Sequence, residues 1–275
     1  MAGDAANRID ERFTQLTRDG RKGLWPYITA GYPDLETTAR LLEALDGLGV
    51  AGVELGFPYS DPVADGPVIQ TSFSRALAGG LTLESIFKTV RAVRSTVRMP
   101  LLAMVSFSIV YRVGVERFLE RAAEAGFDGL IVPDLSLEEA DGTARAVERV
   151  GLRMVMLVAP TTSPERRERI ASLSSGFVYY LSVSGITGER DQLPADLVAN
   201  VERLRSVSGQ PVCVGFGISK PDHVRRVCAA ADGAIVGSAI VRRITDAIDR
   251  KVRPDGIVEE ITVFVTDLQA PLLGP

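Results

Sequence analysis

Histidine, cysteine and lysine are scarce in this chain, and their scarcity excludes more chemistry than any single motif supplies. Histidine occurs once in 275 residues, at His223, and cysteine twice, at Cys213 and Cys228. One histidine and no clustered cysteines exclude a serine or cysteine triad and a histidine-rich metal site, so no metal ligands are assigned. Pro221-Asp222-His223 sets the histidine in the first turn of a surface helix, where a solvated side chain without function is expected. The lysines, Lys22, Lys88, Lys220 and Lys251, fall in loops or helices rather than at strand ends, which disfavours Schiff-base chemistry. No apolar run reaches the roughly 18 residues of a membrane span, and Met1–Arg8 lacks the apolar segment of a secretory signal. With both thiols in apolar runs, the expectation is a reduced, cytoplasmic protein. The net charge is −4 with basic residues scattered, which points away from nucleic acid and anionic membranes and towards a small-molecule ligand. Carboxylate acid/base catalysis is the chemistry that remains.

Hydrophobic residues make up 46% of the chain, enough to bury a large core. Short β-branched runs alternate with helical patterns, and no low-complexity linker interrupts them. Strands are expected near Leu24–Thr29, Gly52–Phe57, Leu101–Ser106, Gly129–Val132, Met154–Ala159, Phe177–Ser182, Pro211–Gly215 and Gly233–Gly237. Eight strand–helix units imply an α/β fold, a closed (β/α)8 TIM barrel, with residues 1–275 as one domain. Arg8–Arg18 reads as an extra N-terminal helix covering the bottom of the barrel and Ile257–Leu268 as a closing C-terminal helix. Asp34 and Thr82 are expected to cap helices, Ser136 and Glu139 to form a capping box, and Ser163-Pro164 and Ser219-Lys220-Pro221 to supply caps followed by a first-turn proline.

The stretch Glu54-Leu-Gly-Phe-Pro-Tyr-Ser-Asp61-Pro-Val-Ala-Asp65-Gly-Pro67 puts acids at the end of a buried strand and along the loop that leaves it. In a parallel barrel that is where acid/base groups meet substrate, so Glu54 and Asp65 are the catalytic candidates. Asp61 reads better as a turn residue bonded to its own backbone. Three glycine loops follow the last strands: Gly185-Ile-Thr-Gly188, Gly215-Phe216-Gly217-Ile-Ser219 and Val236-Gly237-Ser238-Ala239. Adjacent on one face, they would let backbone N–H groups approach a phosphate, with a helix N-terminus adding a favourable field. Tyr27, Phe57 or Tyr59, Leu102, Phe107 and Tyr179 are candidate walls for a flat apolar portion of the ligand.

The long acidic motif from Glu54, together with Pro26-Tyr-Ile-Thr-Ala-Gly31, Ser184-Gly-Ile-Thr-Gly188 and Gly215-Phe-Gly217, closely resembles the alpha subunits of tryptophan synthase, from about Asn7 to the closing helix. The resemblance implies retro-aldol cleavage of indole-3-glycerol phosphate to indole and glyceraldehyde 3-phosphate. It makes Glu54 the proton-shuttling glutamate and Asp65 the acceptor of the indole N–H. It assigns Tyr27 and Tyr179 to the indole pocket, Gly188, Phe216, Gly217, Gly237 and Ser238 to the phosphate site, and Thr187 to a loop that closes over substrate. It also implies an αββα complex with a beta subunit, where pyridoxal phosphate belongs to the partner and this chain carries no cofactor. In Met104–Arg112 the family usually has an aromatic residue and then Asn-Pro, where this chain has Ser106, Ser108 and Ile109. That departure keeps a free-standing indole-3-glycerol phosphate lyase as an alternative. A catalytically idle barrel acting as an allosteric partner is a third reading.

Overall fold

A computed structural model describes residues 6–63, 65–182 and 193–273. Eight strands, β1 (Gly23–Thr29), β2 (Val53–Gly56), β3 (Leu101–Met104), β4 (Gly129–Ile131), β5 (Arg153–Val158), β6 (Val178–Leu181), β7 (Val212–Gly215) and β8 (Gly233–Val236), pair in parallel and in chain order into a closed barrel. Each lies within about two residues of the span its sequence pattern predicts. The helices among the described residues are α1 (Arg8–Arg18), α2 (Leu35–Gly47), α3 (Pro67–Ala78), α4 (Leu83–Val93), α5 (Phe107–Val113), α6 (Val115–Ala125), α7 (Leu137–Arg149), α8 (Pro164–Leu173), α9 (Leu197–Val207), α10 (Pro221–Cys228), α11 (Ser238–Asp249) and α12 (Pro254–Gln269). Among the described residues, no helix is long and apolar enough to cross a membrane.

Strand alternation divides the side chains between two layers. Val53 and Leu55 of β2 join the packing between barrel and helices, whereas Trp25, Leu102, Ile131, Val155, Phe177, Cys213 and Ile235 form a separate inner cluster. Ile9, Phe13 and Leu16 of α1 belong to that inner cluster, as the expected bottom-covering helix requires. Phe13 stacks on Trp25 at 5.6 Å between ring centroids, and Trp25 meets Phe177 at 5.1 Å. Asn7 caps α1 through a bond from the Ile9 amide and donates to the Asp128 and Gly151 carbonyls, fastening the helix across the barrel floor.

The caps at Asp34, Thr82 and Ser163 form as expected. Ser136 accepts from the Glu139 amide, but the Glu139 carboxylate takes the serine hydroxyl instead of reaching back to the cap N–H, so the box is only half made. Pro221 begins α10, yet the cap is Lys220, and Ser219 donates its amide to His223 Nδ1 at 3.4 Å. His223 is therefore not solvated: it is 3% exposed, on the face of α10 that also buries Val224, Val227 and Cys228. Both cysteines are free and buried.

Candidate active site

Inward-facing glycines open the upper barrel for two tyrosines. A Cβ at Gly56 would overlap the Tyr27 hydroxyl and one at Gly215 the Tyr179 hydroxyl, so each ring lies across a neighbouring strand where no side chain projects. Register sets Glu54 on β2 between Tyr27 on β1 and Leu102 on β3. Above this floor lies a cavity of about 270 Å³ at the C-terminal ends of the strands. Tyr27, Glu54 and Tyr179 line its depth, and Phe57, Tyr59, Ile69, Phe73, Met104, Leu157, Leu181 and Ile235 form apolar walls. Asp65 and Asp134 add carboxylates, and Phe216, Gly217, Gly237 and Ser238 complete the lining.

Glu54 is completely buried, and neither carboxylate oxygen has a hydrogen-bond partner. Burial without a compensating donor disfavours the anion, so its pKa is raised well above the ordinary glutamate value. Asp65 is pushed up to about 6, first by burial and then by the negative charge of Asp134. Burial and the nearby aspartates Asp65, Asp134 and Asp61 lift the Tyr59 phenol to about 12, and burial likewise raises Tyr27 and Tyr179. The phenols thus stay neutral and can serve as polar walls, leaving proton transfer near neutrality to the carboxyl groups.

The loops after β7 and β8 meet at the same cavity. Phe216 and Gly217 both have positive φ, 77° and 75°, and the Ser182 hydroxyl donates to the Phe216 carbonyl at 2.6 Å. A phenylalanine held in the left-handed region costs about 1–3 kcal/mol and is found where a site needs a particular backbone direction. Gly237 is the N-cap of α11 and supplies no side chain to its first amides, which leaves the helix N-terminus open beside Ser238. Such a terminus favours an anion. Thr187 and Gly188, with the whole Ser184–Gly188 motif, lie outside the described residues.

Two expected wall residues do not line the cavity. Leu102 packs in the inner cluster beneath it, and Phe107 begins α5 and packs 6.1 Å from Tyr111. Met104, Val105 and Ser106 line the cavity from that part of the chain instead, because β3 ends at Met104 and α5 turns Phe107 away. Asp134 was not anticipated from the sequence. It accepts from the Ser106 hydroxyl and the Phe107 amide, both at 2.7 Å, and so staples the β4 loop to the start of α5. Its signal was Val132-Pro133-Asp134 directly after β4, a carboxylate just beyond the C-terminal end of a barrel strand.

Comparison with known proteins sets this geometry among relatives. The model of the family described as "Tryptophan synthase alpha chain" matches residues 13–269. The tryptophan synthase alpha chain of Synechococcus sp. (strain CC9902) is 48% identical over 248 residues, covering 90% of this chain and 92% of that protein. That of Thermosynechococcus vestitus is 41% identical over 269 residues, covering 98% of each. The crystal structure of tryptophan synthase subunit alpha from Legionella pneumophila str. Paris superposes with a TM-score of 0.89 at 36% identity, covering 98% of this chain and 99% of that one. A chain of the tryptophan synthase complex from Pyrococcus furiosus gives 0.83 at 34% identity, covering 91% and 99%.

Proposed function

Since the chain belongs to the tryptophan synthase alpha chain family, and is thereby a carbon–carbon lyase that cleaves indole-3-glycerol phosphate in tryptophan biosynthesis, we propose that Glu54 and Asp65 carry the reaction and that residues 1–275 work as one catalytic barrel. The single observation behind this reading is Glu54 itself: a fully buried carboxyl group at the cavity floor, with no partner of its own. An unpaired buried acid is costly, and such groups concentrate where protons are moved.

Cleavage requires a proton to arrive at indole C3, a proton to leave the adjacent glycerol hydroxyl, and the carbon–carbon bond between those centres to break. Glu54, held protonated by its surroundings, gives its proton to C3 and then, as carboxylate, takes the hydroxyl proton. The bonding electrons return to the ring, and indole and an aldehyde separate with Glu54 restored. While C3 is protonated the ring nitrogen carries positive charge, which Asp65 balances as an anion accepting the indole N–H. Tyr27 and Tyr179 flank the ring, and Phe216, Gly217, Gly237 and Ser238 receive the phosphate, supported by the uncapped start of α11. Thr187 and Gly188 are assigned to the same site on the sequence motif alone.

Family membership implies a beta-subunit partner. We read the assembly as an αββα complex in the cytoplasm, with pyridoxal phosphate confined to the partner and no cofactor in this chain. Val63, 77% exposed within the acidic loop, and Tyr111, 74% exposed on α5, offer apolar surface for it. Indole release assayed with and without a beta subunit tests the reading: cleavage that rises on mixing is expected. Cleavage with neither a complex nor a rate increase would mean a free-standing lyase, and a complex without indole an idle barrel.

Two further outcomes follow from the site. The kcat/KM for cleavage should fall as pH drops through about 6, because Asp65, whose pKa is raised to that value, must be ionised to act. A profile flat from pH 7 to pH 5 would contradict the role given to Asp65. Gly56→Ala pushes a methyl group into the Tyr27 hydroxyl. Overpacking of this kind costs about 1–3 kcal/mol, and the displaced ring narrows the pocket, so a lower melting temperature and a higher KM are expected. A variant with wild-type KM would show that Tyr27 does not contact substrate.

A further inference from the structure

Asp65 reaches the cavity from a loop rather than a strand, and a loop gives poor precision unless something fixes it. The fixing group is visible one turn into α3. The Gln70 carboxamide Nε2 donates to the Asp65 carbonyl at 2.7 Å and to the Pro62 carbonyl at 3.2 Å. The Pro62 carbonyl also accepts from the Asp65 amide at 3.1 Å, so the chain turns back between these residues and Gln70 clamps both ends of the turn. On its other face α3 is fastened to the barrel. The fully buried Ser72 hydroxyl donates to the Ile69 carbonyl at 2.8 Å and bonds the Thr29 hydroxyl at 2.8 Å. With the Ser72 proton committed to Ile69, Thr29 is the donor in that pair. Thr29 stands on β1 two residues beyond Tyr27 and in register with Gly56 of the strand that carries Glu54.

We propose that Gln70 is a positioning residue for the lyase reaction: its carboxamide fixes the turn from which Asp65 enters the cavity, and α3 transmits to that turn the frame set by Thr29 and Ser72. The inference rests on the reading of Asp65 as the acceptor of the indole N–H. Gln70 itself is solvent-exposed and holds no part of the core. Its contribution is therefore to where Asp65 points, and the fold does not depend on it.

Gln70→Met keeps the length of the side chain and removes the donor. In the full chain, kcat is expected to fall about tenfold, since misplacement of a catalytic group by an ångström costs up to about a hundredfold. KM and the melting temperature should stay near wild type. The acid limb of kcat/KM should move to lower pH, because an Asp65 released towards solvent loses the burial that raises its pKa. In an Asp65→Asn background, Gln70→Met should have no further effect, as two residues acting through one group are not additive.

Wild-type kcat and an unmoved acid limb in Gln70→Met, with kcat strongly lowered in Asp65→Asn, would overturn the positioning role and leave the reading of Asp65 intact. So would a loss of rate that tracks a lower melting temperature and multiplies with the Asp65→Asn effect, which is how a merely structural residue behaves. Full activity in Asp65→Asn itself would remove the reading of Asp65, and the positioning role with it.

Discussion

Glu54→Gln is expected to lower the rate of indole formation by about 10²–10⁴-fold, the range that a positioned general acid/base supplies, while substrate still binds. The carboxamide matches the carboxyl group in size, so the tyrosines that flank it keep their places, but it can neither give a proton to C3 nor take one from the hydroxyl. Single-turnover indole release measures the loss, and the dissociation constant of a substrate analogue lacking the reactive hydroxyl measures retained binding. Residual turnover within tenfold of wild type would show that another group moves the proton. Stability should change in the opposite direction. A carboxyl group whose pKa is raised on folding is favoured in its protonated form, so the cost of burying it is absent at acid pH and grows as pH rises above the ordinary carboxylate range. Glu54→Gln should thus melt at a higher temperature than wild type at pH 8, with the difference shrinking towards pH 4. The wild-type chain keeps its acid at the expense of stability, a familiar exchange at functional sites.

Asp65→Asn is expected to lower kcat by about 10²–10³-fold, the loss seen when one stabilising group facing a developing charge is removed. An amide oxygen can still accept the indole N–H, so KM should change little. Without the full negative charge, however, it cannot balance a cationic ring in a cavity whose other walls are largely apolar. The same variant should lose the acid limb near pH 6, because the group that titrates there is gone. Asp134, which accepts from Ser106 and Phe107, is committed to those donors and is a poor substitute. A limb that persists unchanged in Asp65→Asn would show that Asp65 is not the group behind it.

The barrel was legible in the chain because its strands are short apolar runs at regular intervals, and alternation on β2 already fixed the direction of Glu54: with Val53 and Leu55 packed outward, the residue between them faces in. The acidic loop and the two glycine loops among the described residues were legible for the same reason, since strand ends in a parallel barrel all open on one side. What escaped notice depended on packing between distant segments. The seven-residue helix α5 is too short for a helical period to show, and its start turned Phe107 off the cavity and brought Ser106 in. Asp134 acquires its place only when the β4 loop meets that helix. A polar residue in a first turn suggests solvent, yet His223 stands four positions before Val227 on the stripe that α10 buries, an i, i+4 spacing present in the sequence.

The helix laid across the barrel floor has a bearing on traffic. Among the described residues, Phe13, Trp25 and Phe177 are wedged beneath the chamber and close its bottom, which directs reactant and both products to the doorway at the top. Whatever sits over that doorway decides which product leaves and when. A neighbour docked there would inherit the indole directly, and a bare doorway would spill it into water.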